Sequence, residues 1–427
     1  MLFVLAGVLM GTAFLDARCQ PLAWAGIAVL AAALCSPKPV WRLVLGVIVA
    51  SFLKQAIALH WLVATFQHFV GLSLPSAVGA ALVTWVLSTL LSQAPLILML
   101  VVLRRCPVRW CLPVGWGLGE VWVGQLSGFS LGDLLHSQWA LQPVLRSIAY
   151  VGWFPTLLVG LYGMACAAEA ITYRRARQLT PLLVIAGITL LLPAIPSSDE
   201  SLDGVGVVHL SSVLKPPTAV PQGIDLLIWP EGTLRGTPRG AEGSFDHPAQ
   251  LASLSIRAPI DQIVGVTLKV PHGLMNSAAH VDRLGNLVAA RGKSVLVPFG
   301  ERHFWGLRPL GGLAFTPGTM PPLLVAGPHR VIPLICYEVF NRALAWNGLA
   351  AGGDVLAVLA SDRPLAGSRI ALEQSLGALV LRAIELHTPA ARASLEGPSV
   401  LVAADGRVLA VSTADGNETL GPLSARR

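Results

Sequence analysis

The sequence predicts a multispan α-helical membrane arm followed by an α/β domain. Two observations carry that expectation. Of the 427 residues, 54% are hydrophobic and only 12% charged, with a mean hydropathy of +0.66, which indicates a membrane protein. The apolar character is also unevenly distributed. Long apolar runs fill residues 1–195, whereas residues 196–427 alternate short β-like and helix-like stretches.

In the first half, seven apolar stretches stand at roughly 2–15, 21–35, 40–62, 77–103, 110–130, 144–168 and 180–195. A spanning helix needs about 20 residues, so the first two and the last are short. The basic residues between them set a topology. Lys38 and Arg42 follow the second stretch, Arg104, Arg105 and Arg109 the fourth, and Arg174, Arg175 and Arg177 the sixth. The alternate connections, 63–76 and 131–143, contain no Lys or Arg. The positive-inside rule then places the N-terminus in the cytoplasm, and seven spans carry residues 196–427 to the periplasm. No cleaved signal peptide is expected, since Asp16-Ala17-Arg18-Cys19 does not read as a cleavage site. Lys54 and Glu120 are costly in lipid unless paired or wet, and read as polar contacts in a substrate cavity, as a helix-holding pair, or, for Lys54, as a snorkelling lysine.

The net charge of +7 raises the question of nucleic acid, and its location answers against it. Residues 1–195 hold eleven Lys/Arg against four Asp/Glu, while 196–427 hold nineteen of each. The excess therefore lies in loops between apolar stretches, with no basic face for DNA.

A linker at Pro193, Pro196, Ser197, Ser198, Asp199 and Glu200 separates the arm, residues 1–195, from the second domain, residues 196–427. β-like runs are expected at Val205–Leu210, Ile224–Trp229, Gln262–Leu268, Val331–Ile335, Val355–Ala360 and Ser399–Ala403. Helices are expected at Pro248–Arg257, Asn341–Leu349 and Arg369–His387. Runs such as Val355-Leu356-Ala357-Val358-Leu359 lack polar alternation, which predicts strands covered on both faces.

Cys336 is the one cysteine of the second half and closes a β-like run, so it is a candidate nucleophile. Upstream, Glu231 follows the run Leu226 to Trp229, and Lys293 precedes a second carboxylate, Glu301, by eight residues. A carboxylate can take the thiol proton and return it to a leaving group, and an ammonium can hold an oxyanion. Singly each signal is weak: a glutamate after a strand is usually solvated, and a buried cysteine is usually inert packing. Lys215 and Lys269 compete with Lys293 for the lysine role. The ordered set of Glu, Lys and Cys, each beside a strand, is far more specific.

Trp229-Pro230-Glu231, Lys293 with Val297-Pro298-Phe299-Gly300-Glu301, and Cys336-Tyr337-Glu338 together resemble the nitrilase (carbon-nitrogen hydrolase) superfamily, in particular its apolipoprotein N-acyltransferase branch. Asn276-Ser277, Asp354 to Asp362, Arg382-Ala383-Ile384-Glu385-Leu386, Arg392, His60-Trp61 to Phe66, and Gly115-Trp116 to Phe129 extend the resemblance over most of the chain. The resemblance implies a nitrilase-like αββα sandwich after the membrane arm. It implies Glu231 as general base, Lys293 as oxyanion stabiliser and Cys336 as nucleophile, with Glu301, Tyr337 and Glu338 supporting the pocket. It also implies an acyl thioester on the cysteine, membrane phospholipid as acyl donor and a protein or peptide amine as acceptor, in a bacterial inner membrane. No cofactor and no metal is expected.

Three departures shape the expectation further. Those acyltransferases end in another transmembrane helix, whereas this sequence ends in a polar Arg426-Arg427 tail. Where an aromatic pair follows Asp362 in the family, Arg363-Pro364-Leu365 stands here, and an asparagine pair is replaced by Leu395-Glu396-Gly397. In its length and in lacking that terminal helix the chain resembles plasmid TraB-type conjugal transfer proteins, also a membrane arm plus a nitrilase-like domain, which implies a place beside conjugation machinery. The alternatives are a periplasmic amidase-type hydrolase and a non-catalytic component of a conjugation apparatus.

Overall fold

The computed structural model describes residues 1–103, 106–127, 132–196, 202–211, 220–234, 260–271, 273–297, 300–302, 314–318, 322–365, 367–412 and 418–421, with the side chains of 125–127 and 269 outside that description. The expected helix at Pro248–Arg257 and the linker residues Ser197 to Glu200 fall outside the described residues.

Two compact units emerge. The first comprises Met1–Ile195 with Ser368–Leu381, and the second Pro196–Gly367 with Arg382–Arg427. In the first unit the helices are α1 (Leu2–Thr12), α2 (Leu22–Leu34), α3 (Val40–Ala58), α4 (Leu62–His68), α5 (Leu74–Val102), α6 (Val108–Ser127), α7 (Gln142–Val151), α8 (Trp153–Thr172) and α9 (Thr180–Leu191). Among the described residues, four helical stretches are long and apolar enough to cross a membrane: Ala17–Leu34, Val40–Ala58, Leu74–Val102 and Trp153–Thr172. The expected stretch at 144–168 is two helices. Gly152 sits between α7 and α8 with φ +86°, a left-handed backbone that breaks the helix and favours glycine.

Buried polar groups meet inside this unit. Lys54, 1% exposed, donates to the Gly132 carbonyl at 2.7 Å and lies 5.2 Å from the Trp116 ring centroid. The Trp116 indole donates to Glu120 at 2.9 Å. The two expected intramembrane charges thus share one tryptophan.

The second unit holds two six-stranded sheets. The first sheet contains β1 (Val205–His209), β2 (Leu226–Ile228), β3 (Asp261–Val270), β4 (Gly273–Val281), β5 (Leu287–Gly292) and β12 (Glu418–Leu420), in the order β12-β1-β2-β3-β4-β5. The second contains β6 (Leu324–Ala326), β7 (His329–Ile335), β8 (Val355–Ser361), β9 (Ala390–Leu395), β10 (Val400–Val402) and β11 (Val408–Val411), in the order β11-β10-β9-β8-β7-β6. β1-β2-β3 and β7-β8-β9 are parallel, with antiparallel strands outside them. Among the described residues of this half lie the helices α10 (Arg342–Ala350), capped by the Asn341 side chain, and α11 (Arg369–Leu386), whose last residues cluster with the second unit.

The sheets pack face to face. Val205, Val207, Leu226, Ile228 and Ile263 of the first interleave with Val331, Ile335, Val355, Ala357, Leu359, Ala391 and Ala393 of the second. The opposite face of the first sheet is buried too, through Val208, Leu227, Trp229 and Val264. Strands covered on both faces are what the unalternating apolar runs predict. The chain therefore has the expected architecture in outline, an apolar helical arm followed by an α/β domain built on two stacked sheets.

Candidate active site

Glu231, Lys293 and Cys336 each leave the end of a strand. β2 delivers Glu231. Trp229 donates its N–H to Ile263 at 2.8 Å and Leu234 donates to Gly265 at 3.1 Å, so the intervening turn folds over β3. Gly265 makes this approach feasible, because a Cβ there would stand 2.2 Å from the Pro230 oxygen. β5 delivers Lys293, whose backbone is held on both sides. Its N–H donates to Asn276 at 2.7 Å and its carbonyl accepts from Gly318 at 2.8 Å. β7 delivers Cys336, which opens a 3₁₀ turn (Cys336–Phe340) with φ +52°. A left-handed backbone is costly for a residue with a Cβ and marks a constrained position.

The Lys293 ammonium is the hub. It donates to Glu301 Oε1 at 2.8 Å and to Glu231 Oε1 at 3.3 Å, and the lysine is 1% exposed. Asn276 Nδ2 donates to the same Glu231 oxygen at 2.6 Å, and the Val297 N–H donates to the other Glu301 oxygen at 2.9 Å. Burial alone lowers an ammonium's pKa, but the Glu231 and Glu301 carboxylates outweigh it and hold Lys293 well above its ordinary value. The lysine is therefore a fixed cation.

The Cys336 thiol donates weakly to the Ser361 carbonyl at 3.9 Å. Burial pushes its pKa up strongly, the Glu231 carboxylate adds to that, and Lys293 opposes it. The sulfur thus shares the site with a carboxylate that raises its pKa and an ammonium that lowers it. The end of β8 that carries Ser361 is anchored by Asp362. It pairs with Arg392 at 2.7 and 2.8 Å and accepts from Ser394 Oγ at 2.6 Å.

The structure places the remaining expected residues unevenly. Glu301 touches Lys293 directly. The Tyr337 ring lies 5.6 Å from that of Phe340, and burial raises its hydroxyl pKa well above the ordinary value. Glu338 is 0% exposed and turns to Arg291, a residue that the motif reading passes over. A signal for Arg291 existed in the sequence: Ala289, Arg291 and Lys293 alternate on one face of a strand. Lys215, Pro298 and Phe299 lie outside the described residues, as does the Lys269 side chain.

Fold and site define a membrane protein whose α/β sandwich joins a cysteine, a lysine and two glutamates. No family model matches the sequence. The chain is similar to proteins named apolipoprotein N-acyltransferase. With that of Rhizobium meliloti (strain 1021) it shares 29% identity over 222 residues, 48% of this chain and 40% of the relative. With that of Ralstonia nicotianae it shares 27% over 349 residues, 67% of this chain and 64% of the relative. With that of Geobacter metallireducens it shares 23% over 465 residues, 95% of this chain and 85% of the relative. The chain thus spans two fifths of the length of the first of these relatives. Among solved structures, an amidase from Nesterenkonia sp. AN1 is similar at 19% identity and a TM-score of 0.38, covering 53% of this chain and 92% of the amidase. A carbon-nitrogen hydrolase from Helicobacter pylori G27 is similar at 12% identity and a TM-score of 0.39, covering 52% of this chain and 90% of the hydrolase.

Proposed function

We propose that the chain is an integral N-acyltransferase of the bacterial inner membrane, working through a thioester on Cys336. The observation that carries this reading is the buried Lys293 ammonium, held by Glu231 and Glu301 in the site that also contains Cys336. Glu231 takes the thiol proton as Cys336 Sγ attacks the ester carbonyl of a phospholipid. Lys293 holds the oxyanion of the tetrahedral intermediate, an interaction often worth about 3 kcal/mol. Collapse breaks the ester C–O bond, and the departing alkoxide takes the proton back from Glu231. An amine then attacks the thioester and gives its proton to Glu231. An amide leaves, and Cys336 is restored as the thiol.

The donor is membrane phospholipid, in keeping with the helical arm, and the site faces the periplasm, in keeping with the loop charges. The acceptor is a protein or peptide amine. Two positions where the sequence departs from the N-acyltransferase pattern meet here: Arg363 Nε donates to Glu396 Oε1 at 2.7 Å. Arg363 stands two residues beyond the Ser361 carbonyl that the thiol faces. The resemblance of the sequence to plasmid TraB-type proteins supports a role beside plasmid conjugation machinery, with an acceptor among its proteins.

The test is transfer itself. The full-length protein in lipid nanodiscs is given phospholipid with a labelled acyl chain and a peptide bearing a free N-terminal amine. Label on the peptide amine, lost in Glu231→Gln, supports the reading. Release of free fatty acid with no labelled peptide would make the chain a hydrolase, and neither product would remove the enzyme reading.

A further inference from the structure

We propose that Arg291 is a positioning residue that sets Lys293 against Cys336, an inference that rests on the reading of Cys336 as nucleophile. Lys293 belongs to the first sheet and Cys336 to the second, so something must fix one against the other. Arg291 lies on β5, paired in register with Ala278, whose side chain belongs to the core between the sheets. It is 1% exposed, and its guanidinium grips Glu338 with both arms: Nη1 to Oε2 at 2.6 Å and Nη2 to Oε1 at 3.1 Å. Glu338 follows Cys336 by two residues, so the pair bridges the two sheets within the core.

The same carboxylate organises the backbone on each side. Glu338 Oε1 accepts the N–H of Ser294 at 2.7 Å and of Val295 at 3.2 Å, the two residues after Lys293. Glu338 Oε2 accepts the N–H of Ile335 at 2.9 Å, the residue before Cys336. The immediate neighbours of both reacting residues are therefore tied to one carboxylate, and Arg291 compensates the charge of that carboxylate and orients it. A buried carboxylate that loses its cation is strongly unfavourable, so the pair cannot be halved without consequence. A lysine would supply the charge without the planar fork that fixes both oxygens. Arg291 acts on the site through Glu338, whose carboxylate it orients, which makes its role positional.

Two variants of the full-length protein in nanodiscs test this: Arg291→Lys, and the charge-neutral double variant Arg291→Met/Glu338→Gln. The first keeps a cation in place, and the second leaves no unpaired buried charge. Three quantities are read: the melting temperature, the rate of Cys336 thioester formation, and the pH profile of Cys336 alkylation by iodoacetamide, followed by peptide mapping. In Arg291→Lys, melting close to wild type is expected, with thioester formation slower by about tenfold or more. Its alkylation profile is expected to move to higher pH, because the opposing Lys293 charge no longer sits in place. The double variant is expected to show the same loss while remaining folded. Wild-type thioester rates and an unmoved alkylation profile in Arg291→Lys would overturn the proposal, whatever the fate of the double variant. If the wild-type protein forms no thioester, the reading of Cys336 fails, and the alkylation profiles alone still decide whether Arg291 sets the environment of the thiol.

Discussion

At the scale of single residues, the site is built around one buried cation serving two carboxylates. Lys293→Ala is expected to lower acyl transfer by about 10²- to 10³-fold, the usual consequence of losing an oxyanion donor. Lys269→Ala is expected to stay near wild type, and initial rates on the pair check the choice between the two lysines. The thiol makes a separate prediction. Burial first, and the Glu231 carboxylate second, raise the Cys336 pKa above its ordinary value of 9.0. Alkylation of Cys336 is therefore expected to be slow at pH 7 and still climbing beyond pH 9. The sign for stability follows: the protonated thiol suits the fold below pH 9, and stability is lost as pH rises through the higher folded value. A rate that levels off near pH 6 would instead indicate a thiolate paired with Lys293 at rest. The residues Glu231, Lys293, Glu301 and Cys336 were legible in the sequence because their spacing forms a motif. The alternation of Ala289, Arg291 and Lys293 put Arg291 on the same strand face, but its pairing with Glu338 was not legible, because the two stand 47 residues apart.

Among elements, the Pro230–Glu231 turn passes close over β3 beside the site. Gly265→Ala sets a methyl group against the Pro230 carbonyl and the Glu231 Cα. A stability loss of about 1–3 kcal/mol is expected from such overpacking. Activity should fall further than this loss explains, because Glu231 is displaced. Thermal melting read beside transfer rates separates the two effects. Six of the strands were legible, β1, β2, β3, β7, β8 and β10, since each carries an apolar run. β4 was not, because Asn276, Ser277 and His280 interrupt it, yet all three are buried within the sheet. β9 was not, because Ala390-Ala391-Arg392-Ala393 reads as helix-forming; parallel pairing with β8 overrides that propensity. In the arm, composition marked the apolar segments but not the break at Gly152, where backbone conformation rather than hydropathy divides α7 from α8.

For the whole molecule, the loop charges and the chemistry make a joint demand. Phospholipid chemistry at a periplasmic site requires the α/β half to lie across the membrane from the basic loops. A reporter active only in the cytoplasm is expected to give signal when fused at Arg175 and none when fused after residue 427; signal at both would separate the site from its proposed substrates. The central claim, however, is covalent: Cys336 carries the acyl group. The most direct measurement is the intact mass of the purified protein after incubation with phospholipid, for wild type and Cys336→Ser at equal membrane abundance. The account predicts a mass increase of one acyl chain on the wild type, removed by hydroxylamine and mapped to the Cys336 peptide. It predicts no hydroxylamine-sensitive adduct on Cys336→Ser. Full transfer activity in a normally abundant Cys336→Ser protein would contradict the account.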